Sequence, residues 1–494
     1  MAIPAPVADQ RVVVGSDGRG LVTAGPEQSV LVLGPPRSGK TSSLVVPNVL
    51  TAWGPVVSTS TKPDVMAATV AGRWRRGRCW LYDPSGTVAL PEGVSPLRWS
   101  PVRSATTWDG ALLVARALVG SSPSASGMTD ANHWTERAEA LLAPLLHAGA
   151  RGGDDLVTVL GWVNRRDGRP ALERLREGAS TASDLLAGIL ATESRELSGI
   201  WSTASGAVAA YRSDAALASA AEPNFDARRF VARTDTVYIC ATSRHQDLVA
   251  PLVVCLIEDI RGAAFERAAA RTSTGPWASP GARISPAVSR GELPPGVWPM
   301  IEAPVLLALD EVSNVAPLPG LPSLVSEGGG QGVLTLACLQ DLSQARRRWG
   351  VQADGFGSLF GATVVLPGIG DVRTLEALSV LCGTHDVWVR SESRSPGSPW
   401  GRRRSRTWST RRERYLEADE ISRGRAGAGL LIGGGRPPAW TPLTPWWKME
   451  RGPVEPGLAE PALAERPSAG RTRAGGTPRG RVSKTVGRSI GRGD

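Results

Sequence analysis

Seven short apolar runs punctuate the chain, at 30–33 (VLVL), 55–59 (PVVST), 78–83 (RCWLYD), 235–242 (DTVYICAT), 304–310 (PVLLALD), 333–338 (VLTLAC) and 362–366 (ATVVL). Each is bounded by Gly, Pro, Ser or Asp, and each is rich in Val, Leu and Ile. Their apolar character is continuous rather than alternating, which predicts strands covered on both faces and so a mainly parallel sheet with helices on either side. Between 105 and 221 no strand-like run appears, and Ala and Leu dominate. There Trp134, Ala138, Leu141, Leu142 and Leu145 fall at i, i+4, i+7, i+8 and i+11, one face of a helix, with Pro144 expected to kink it. The pattern predicts an α/β fold interrupted by an all-helical insertion.

The chain has 494 residues, more than one core usually holds. We divide it into the first part of an α/β domain at 1–104, the helical insertion at 105–221, the second part of the α/β domain at 222–450 and a tail at 451–494. Residues 272–300 are rich in Pro, Gly and Ser and read as a surface loop. The tail loses periodicity. Between Arg466 and Asp494 it carries eight basic residues, one acid and seven glycines, so it is expected to be disordered.

Net charge is +10, but only four of the 56 basic residues are lysine, a bias that a GC-rich genome would produce without any nucleic-acid partner. The placement of the arginines says more than their number. Residues 389–415 hold nine arginines and two glutamates, interleaved with Trp400, Trp408 and Tyr415. Arg402, Arg403, Arg404, Arg406, Arg411 and Arg412 in this segment are candidate DNA contacts, because clustered guanidiniums neutralise phosphates while aromatic rings stack on bases. A solvated loop is the alternative. The five cysteines are scattered without a CxxC pair, which speaks against a disulfide framework and a zinc site and fits a reducing cytosol. Four histidines lie far apart with no ligand spacing. No window approaches the 18 or so apolar residues of a membrane helix, and the start shows no signal peptide.

The chemistry is concentrated at Gly34-Pro35-Pro36-Arg37-Ser38-Gly39-Lys40-Thr41, which fits GxxxxGK[ST] between a strand and a helix. Glycines let this turn curl so that successive N–H groups face phosphate oxygens, and the following helix adds its positive end. Residues 34–42, through Ser42, are the candidate nucleotide site. Lys40 is expected to reach the β- and γ-phosphates and the Thr41 hydroxyl to hold Mg²⁺; Arg37 could equally be solvated. The run ending in Asp310-Glu311 supplies the acidic strand end such a loop needs, Asp310 for the metal and Glu311 to polarise the attacking water. Gln340, ending the next run, is a candidate γ-phosphate sensor or a cap of the following helix. The two sites are expected to face each other across adjacent strand ends.

Several stretches together resemble the TraG/TraD-like type IV secretion coupling proteins, ring-forming ATPases that bring DNA to a conjugation channel. The P-loop is followed by VVPNVL, similar to their Pro-Asn helix. STSTKPDVMAATVAGRWRRGRCWLYDPSG resembles their second-strand block, HWTERAEALLAPLL the start of their helical insertion, LALDEVSNVAPLPGLPSLVSEGGGQGVLTLACLQDLSQARRRWG their acidic-strand block with Gln340 and Gln344, and RYLEADEISRGRAGAGLLIGGGRPPAW their closing segment. The resemblance spans roughly 25–447 and implies a RecA-like P-loop NTPase that uses ATP and Mg²⁺, assembles as a homo-hexamer, and pumps DNA, expected single-stranded, with its attached relaxase to a secretion channel. It also implies a cytoplasmic location against the membrane, held there by secretion-system membrane components.

Three departures accompany the resemblance. Gly329 stands where many members carry an arginine that acts in the neighbouring subunit's site, leaving Arg346, Arg347, Arg348 or Arg212 as substitutes. Ser60 replaces the usual acid of the second-strand turn, although Lys62 and Asp64 remain. The membrane helices that normally precede the motor are not expected within these residues. Two other readings therefore stay open: an ATP-binding recruitment module with little hydrolysis, and an FtsK-like double-strand pump, which would lack a helical insertion.

Overall fold

All seven apolar runs are strands of one sheet. The computed structural model describes residues 10–16, 20–122, 131–178, 180–242, 244–272, 303–394, 404–433 and 435–449. The runs form β3 (Val30–Leu33), β4 (Val56–Ser60), β5 (Cys79–Tyr82), β7 (Thr236–Cys240), β8 (Val305–Leu309), β9 (Val333–Leu339) and β10 (Ala362–Val365). With β6 (Val94–Pro96), β13 (Ala428–Gly433) and β14 (Arg436–Pro442) they make a ten-stranded sheet of order β14-β13-β10-β3-β9-β8-β4-β7-β5-β6. From β10 to β6 every pairing is parallel; β13 and β14 run antiparallel at one edge.

Continuous apolar runs suit this arrangement because each strand feeds two cores. Val30 and Val32 of β3 pack in one and Leu31 and Leu33 in the other, and β8 and β9 alternate likewise. One core is shared with the helices between β6 and β7, so the helical segment is packed on the sheet. Within it the helix Ala131–Gly152 buries Ala138, Leu141, Leu142 and Leu145 and continues through Pro144.

Three pairs of elements were not expected. A hairpin of β1 (Val13–Ser16) and β2 (Leu21–Thr23) is tied to the helix Val46–Thr51: Asn48 Oδ1 accepts from Val13 N at 2.8 Å, and Asn48 Nδ2 donates to Val13 O at 2.8 Å. The edge pair β13–β14 is the second. The third bears on the solvated-loop alternative for the described part of residues 389–415: β11 (Thr384–Arg394) and β12 (Arg404–Arg414) pair over their whole length as a separate two-stranded ribbon. Arg402 and Arg403 lie outside the described residues, as do the expected loop beyond Thr272 and the tail from 451.

Beneath the sheet's other end, the fully buried Arg73 guanidinium joins three segments. It donates to the carbonyls of Ala52, Gly54 and Thr234 and to Thr236 Oγ1. Burial lowers its pKa, and this set of acceptors offsets the loss of hydration.

Candidate nucleotide site

In a parallel sheet the turns that leave the carboxyl ends of the strands gather on one side, and there the sequence-marked residues meet. β3 runs into the glycine turn, with Gly34 N donating to Leu339 O of β9 at 3.1 Å. A Cβ at Gly34 would lie 2.8 Å from Leu366 and from Ser38 Oγ. Gly39 turns at φ +95°, which favours glycine. Arg37 also holds a positive φ, 65°, and is exposed, as the solvated reading of this residue requires. Such backbone strain clusters at ligand-binding turns.

Lys40 is buried and folds back, its Nζ donating to the carbonyls of Gly34 at 2.5 Å and Pro35 at 2.9 Å. Its ammonium is thus kept inside the turn where an anion would sit. Ser38 Oγ is buried with no hydrogen-bond partner among the described residues, and Ser42 Oγ donates to Gly39 O at 3.3 Å. A cradle with a retained cation and an unmatched hydroxyl fits a phosphate.

The acidic strand meets this turn directly. Thr41 Oγ1 donates to Asp310 Oδ2 at 2.8 Å. The two residues do not end adjacent strands as expected: β9 lies between β3 and β8, and the contact spans it. Asp310 is only 6% exposed. Burial pushes its carboxyl up to about 6, with Glu311 and Asp64 adding repulsion and the Thr41 hydroxyl and Lys40 opposing them. A buried carboxylate beside a threonine hydroxyl is the oxygen donor set that Mg²⁺ takes.

Glu311 holds φ 53° and ψ 49°, left-handed for a residue with a Cβ. The strand therefore turns sharply after Asp310, and the strain is fixed by Asn314 N and Val315 N, which donate to Glu311 O. Gln340 sits half-buried at the end of β9, between the two halves of the site. It does not cap the next helix. Asp341 does, accepting from Ser343 N at 2.8 Å, while Gln344 Oε1 accepts from Gln340 N at 3.0 Å.

A carboxylate stands one turn after Ser60. Asp64 Oδ1 accepts from Ser60 Oγ at 3.2 Å and from Val65 N at 2.8 Å, and its charge is felt by Asp310.

The departure at Gly329 goes deeper than a missing side chain. A Cβ there would lie 1.9 Å from the carbonyl oxygen of Glu27, so this stretch has closed on the chain's own backbone. Among the substitute arginines, Arg346 pairs with Asp371 at 2.8 Å, Arg348 donates to Pro317 O, Arg212 donates to Ser205 Oγ, and Arg347 is exposed. Gly329→Arg is therefore expected to cost about 1–3 kcal/mol of stability by overpacking and to leave ATP turnover no faster. Thermal unfolding and turnover of that variant, side by side, check both parts.

A mainly parallel sheet with a glycine turn after β3 and an acid after β8 defines a RecA-like P-loop NTPase fold. The chain belongs to the type IV secretory system conjugative DNA transfer family, whose model matches residues 6–268, more than half of its length. A second model, the TraM recognition site of TraD and TraG, matches residues 304–424. Among solved structures, the chain is similar to the bacterial conjugative coupling protein TrwBdeltaN70 in an unbound form, with 18% identity, 88% of each chain covered and a TM-score of 0.60. It is also similar to TrwB bound to the non-hydrolysable ATP analogue ADPNP, at 19% identity, covering 85% of this chain and 86% of that one, TM-score 0.59. TrwB with ADP and Mg²⁺ matches at 18% identity, 85% and 86% coverage and TM-score 0.58. No curated protein matches. Among the described residues no helix is long and apolar enough to cross a membrane.

Proposed function

We propose that the chain is an ATP-driven coupling protein that recruits DNA with its relaxase and drives it toward a type IV secretion channel, working as a homo-hexamer held at the membrane by secretion components. The reading is carried by the 2.8 Å contact between Thr41 and Asp310, which joins the phosphate turn to the acidic strand. Membership of the conjugative transfer family supports the substrate. The ADPNP and ADP–Mg²⁺ complexes of the similar TrwB support ATP and Mg²⁺ as ligands.

In this reading the amides of residues 34–42 cradle the phosphates. Lys40 leaves the carbonyls of Gly34 and Pro35 for phosphate oxygens. Thr41 and Asp310 hold Mg²⁺, which when bound neutralises charge on the transferring phosphoryl group. Glu311 orients and deprotonates the attacking water, and Gln340, set between the two strand ends, senses the γ-phosphate. Arg404, Arg406, Arg411 and Arg412 on β12, with Arg402 and Arg403 outside the described residues, are candidate DNA contacts.

The closed backbone at Gly329 favours a second reading, a recruitment module that binds ATP and substrate but hydrolyses slowly, since a trans arginine contributes orders of magnitude in related enzymes. ATP turnover at high protein concentration, with and without single-stranded DNA, separates the two. A motor is expected to be stimulated by DNA and by assembly. Flat, slow turnover under all conditions would leave the recruitment reading.

A further inference from the structure

Among the described residues the ribbon β11–β12 forms no hydrogen-bonded ladder with the main sheet, and its register sorts its side chains in a way the sequence does not show. Residues directly opposite in an antiparallel pair share a face, and faces alternate along each strand. One face therefore carries Asp386 with Arg412, Trp388 with Thr410, and Arg390 with Trp408. Arg406, two residues from Trp408, follows on that face at the position opposite Glu392. The other carries His385 with Glu413, Val387 with Arg411, Val389 with Ser409, and Ser391 with Thr407. Both ribbon tryptophans thus share a side, and they are 68% and 60% exposed. On the far side Arg411 is matched by Glu413 at 3.8 Å.

An indole left this open is out of place on a structural ribbon, since burying it is what would stabilise the strands. The two rings sit on diagonal positions, where backbones are about 7–8 Å apart. Guanidiniums lie among them: Arg390 opposite Trp408, Arg406 beyond it, and Arg412 paired with Asp386 at 3.5 Å. The root is anchored separately. Arg414 Nη1 donates to Ser379 Oγ at 3.1 Å, and Ser379 Oγ donates to Leu416 O at 2.6 Å.

We propose that the tryptophan–arginine face of this ribbon, and not the ribbon as a whole, is a binding platform for single-stranded DNA. Bases stack on Trp388 and Trp408 while phosphates run past Arg406 and Arg412. Stacking on flat rings requires bases freed from their own partners, which a duplex does not offer. This deepens the DNA-transfer reading and rests on it for the identity of the polymer. It also divides the candidate contacts: Arg406 and Arg412 belong to the platform, and Arg411 does not.

The test is a titration of the full chain with dye-labelled oligothymidylate over a range of salt, beside a mixed-sequence duplex. Trp388→Ala and Trp408→Ala are each expected to weaken single-strand binding about tenfold or more, leaving the duplex affinity and the salt slope as they were. Trp388→Leu keeps apolar bulk on the strand without a flat ring and is expected to lose as much, which separates stacking from loss of the ribbon. Arg406→Ala and Arg412→Ala are each expected to flatten the slope of log affinity against log salt by about 0.7. Arg411→Ala is expected to flatten it by less, since that residue lies on the other face. Equal losses at Arg411 and Arg406, tryptophan variants that bind normally, or equal losses on duplex would overturn the proposal. So would tryptophan variants that lower self-association in sedimentation while binding DNA as before, since the face would then join copies of the chain. Binding of an ATP analogue is followed in every sample. Analogue binding without DNA binding removes the platform and leaves the nucleotide site standing; the reverse removes the motor and leaves the platform.

Discussion

Glu311→Gln is expected to bind ATP with nearly wild-type affinity and to hydrolyse it about 10²–10⁴ times more slowly, the usual contribution of a positioned general base. The argument starts from the backbone. After Asp310 the chain turns through a left-handed residue, held by hydrogen bonds from Asn314 N and Val315 N. That turn sends consecutive carboxylates to different tasks. Asp310 is fixed to the Thr41 hydroxyl in the buried floor, whereas Glu311 is half-buried and free of that contact. Glutamine keeps the volume and the turn but cannot take a proton. Nucleotide affinity by fluorescence and steady-state turnover check the two halves. Unchanged turnover would remove Glu311 as the water activator, and lost affinity would show that it belongs to the binding floor. Lys40→Ala provides the contrast, since it is expected to lose nucleotide binding itself.

The parts of this site that can be found without coordinates are those encoded by short-range rules. A glycine turn between a buried strand and a helix has few other uses, and all seven apolar runs were strands because parallel strands covered on both faces need no alternation. What escaped notice depends on pairing. The ribbon's period-2 pattern was hidden under arginines, and no local feature tells which neighbour faces which, so the common face of Trp388 and Trp408 needed the register. The three-residue β6 ends in Pro96, and β13–β14 lies at an antiparallel edge, where strand signals are weak. Strand order is likewise non-local: the motifs at Lys40 and Asp310 say that they meet, but not that β9 runs between them. The turn of β1–β2, in VVVGSDGRGLVT, was visible as apolar runs around glycines and could have been read as a hairpin.

Asp310→Asn is expected to make the nucleotide-free protein more stable at neutral pH while removing Mg²⁺-dependent nucleotide binding. The carboxyl's pKa rises from its ordinary 3.8 to about 6 on folding, chiefly through burial. The folded state thus holds this proton more tightly than the unfolded chain does. A raised pKa contributes stability that is complete below about pH 4, is lost progressively as pH climbs through 6, and is gone at pH 7 and above. The interval corresponds to about 3 kcal/mol between those limits. Asparagine keeps the acceptor for Thr41 Oγ1 and carries no charge for Glu311 and Asp64 to repel, so the variant escapes the penalty. Its melting temperature is expected to exceed wild type by a few degrees at pH 7.5, with the gap closing toward pH 4. Other buried acids titrate in both proteins, Asp235, Glu258 and Asp259 among them, so the difference between variant and wild type, rather than either curve alone, isolates Asp310. A variant that is no more stable at pH 7.5, or that gains only in acid, would show that the carboxylate is already compensated by its protein neighbours. The expected result instead makes the floor of the site a store of unfavourable charge, which a divalent cation beside Thr41 would relieve as nucleotide enters.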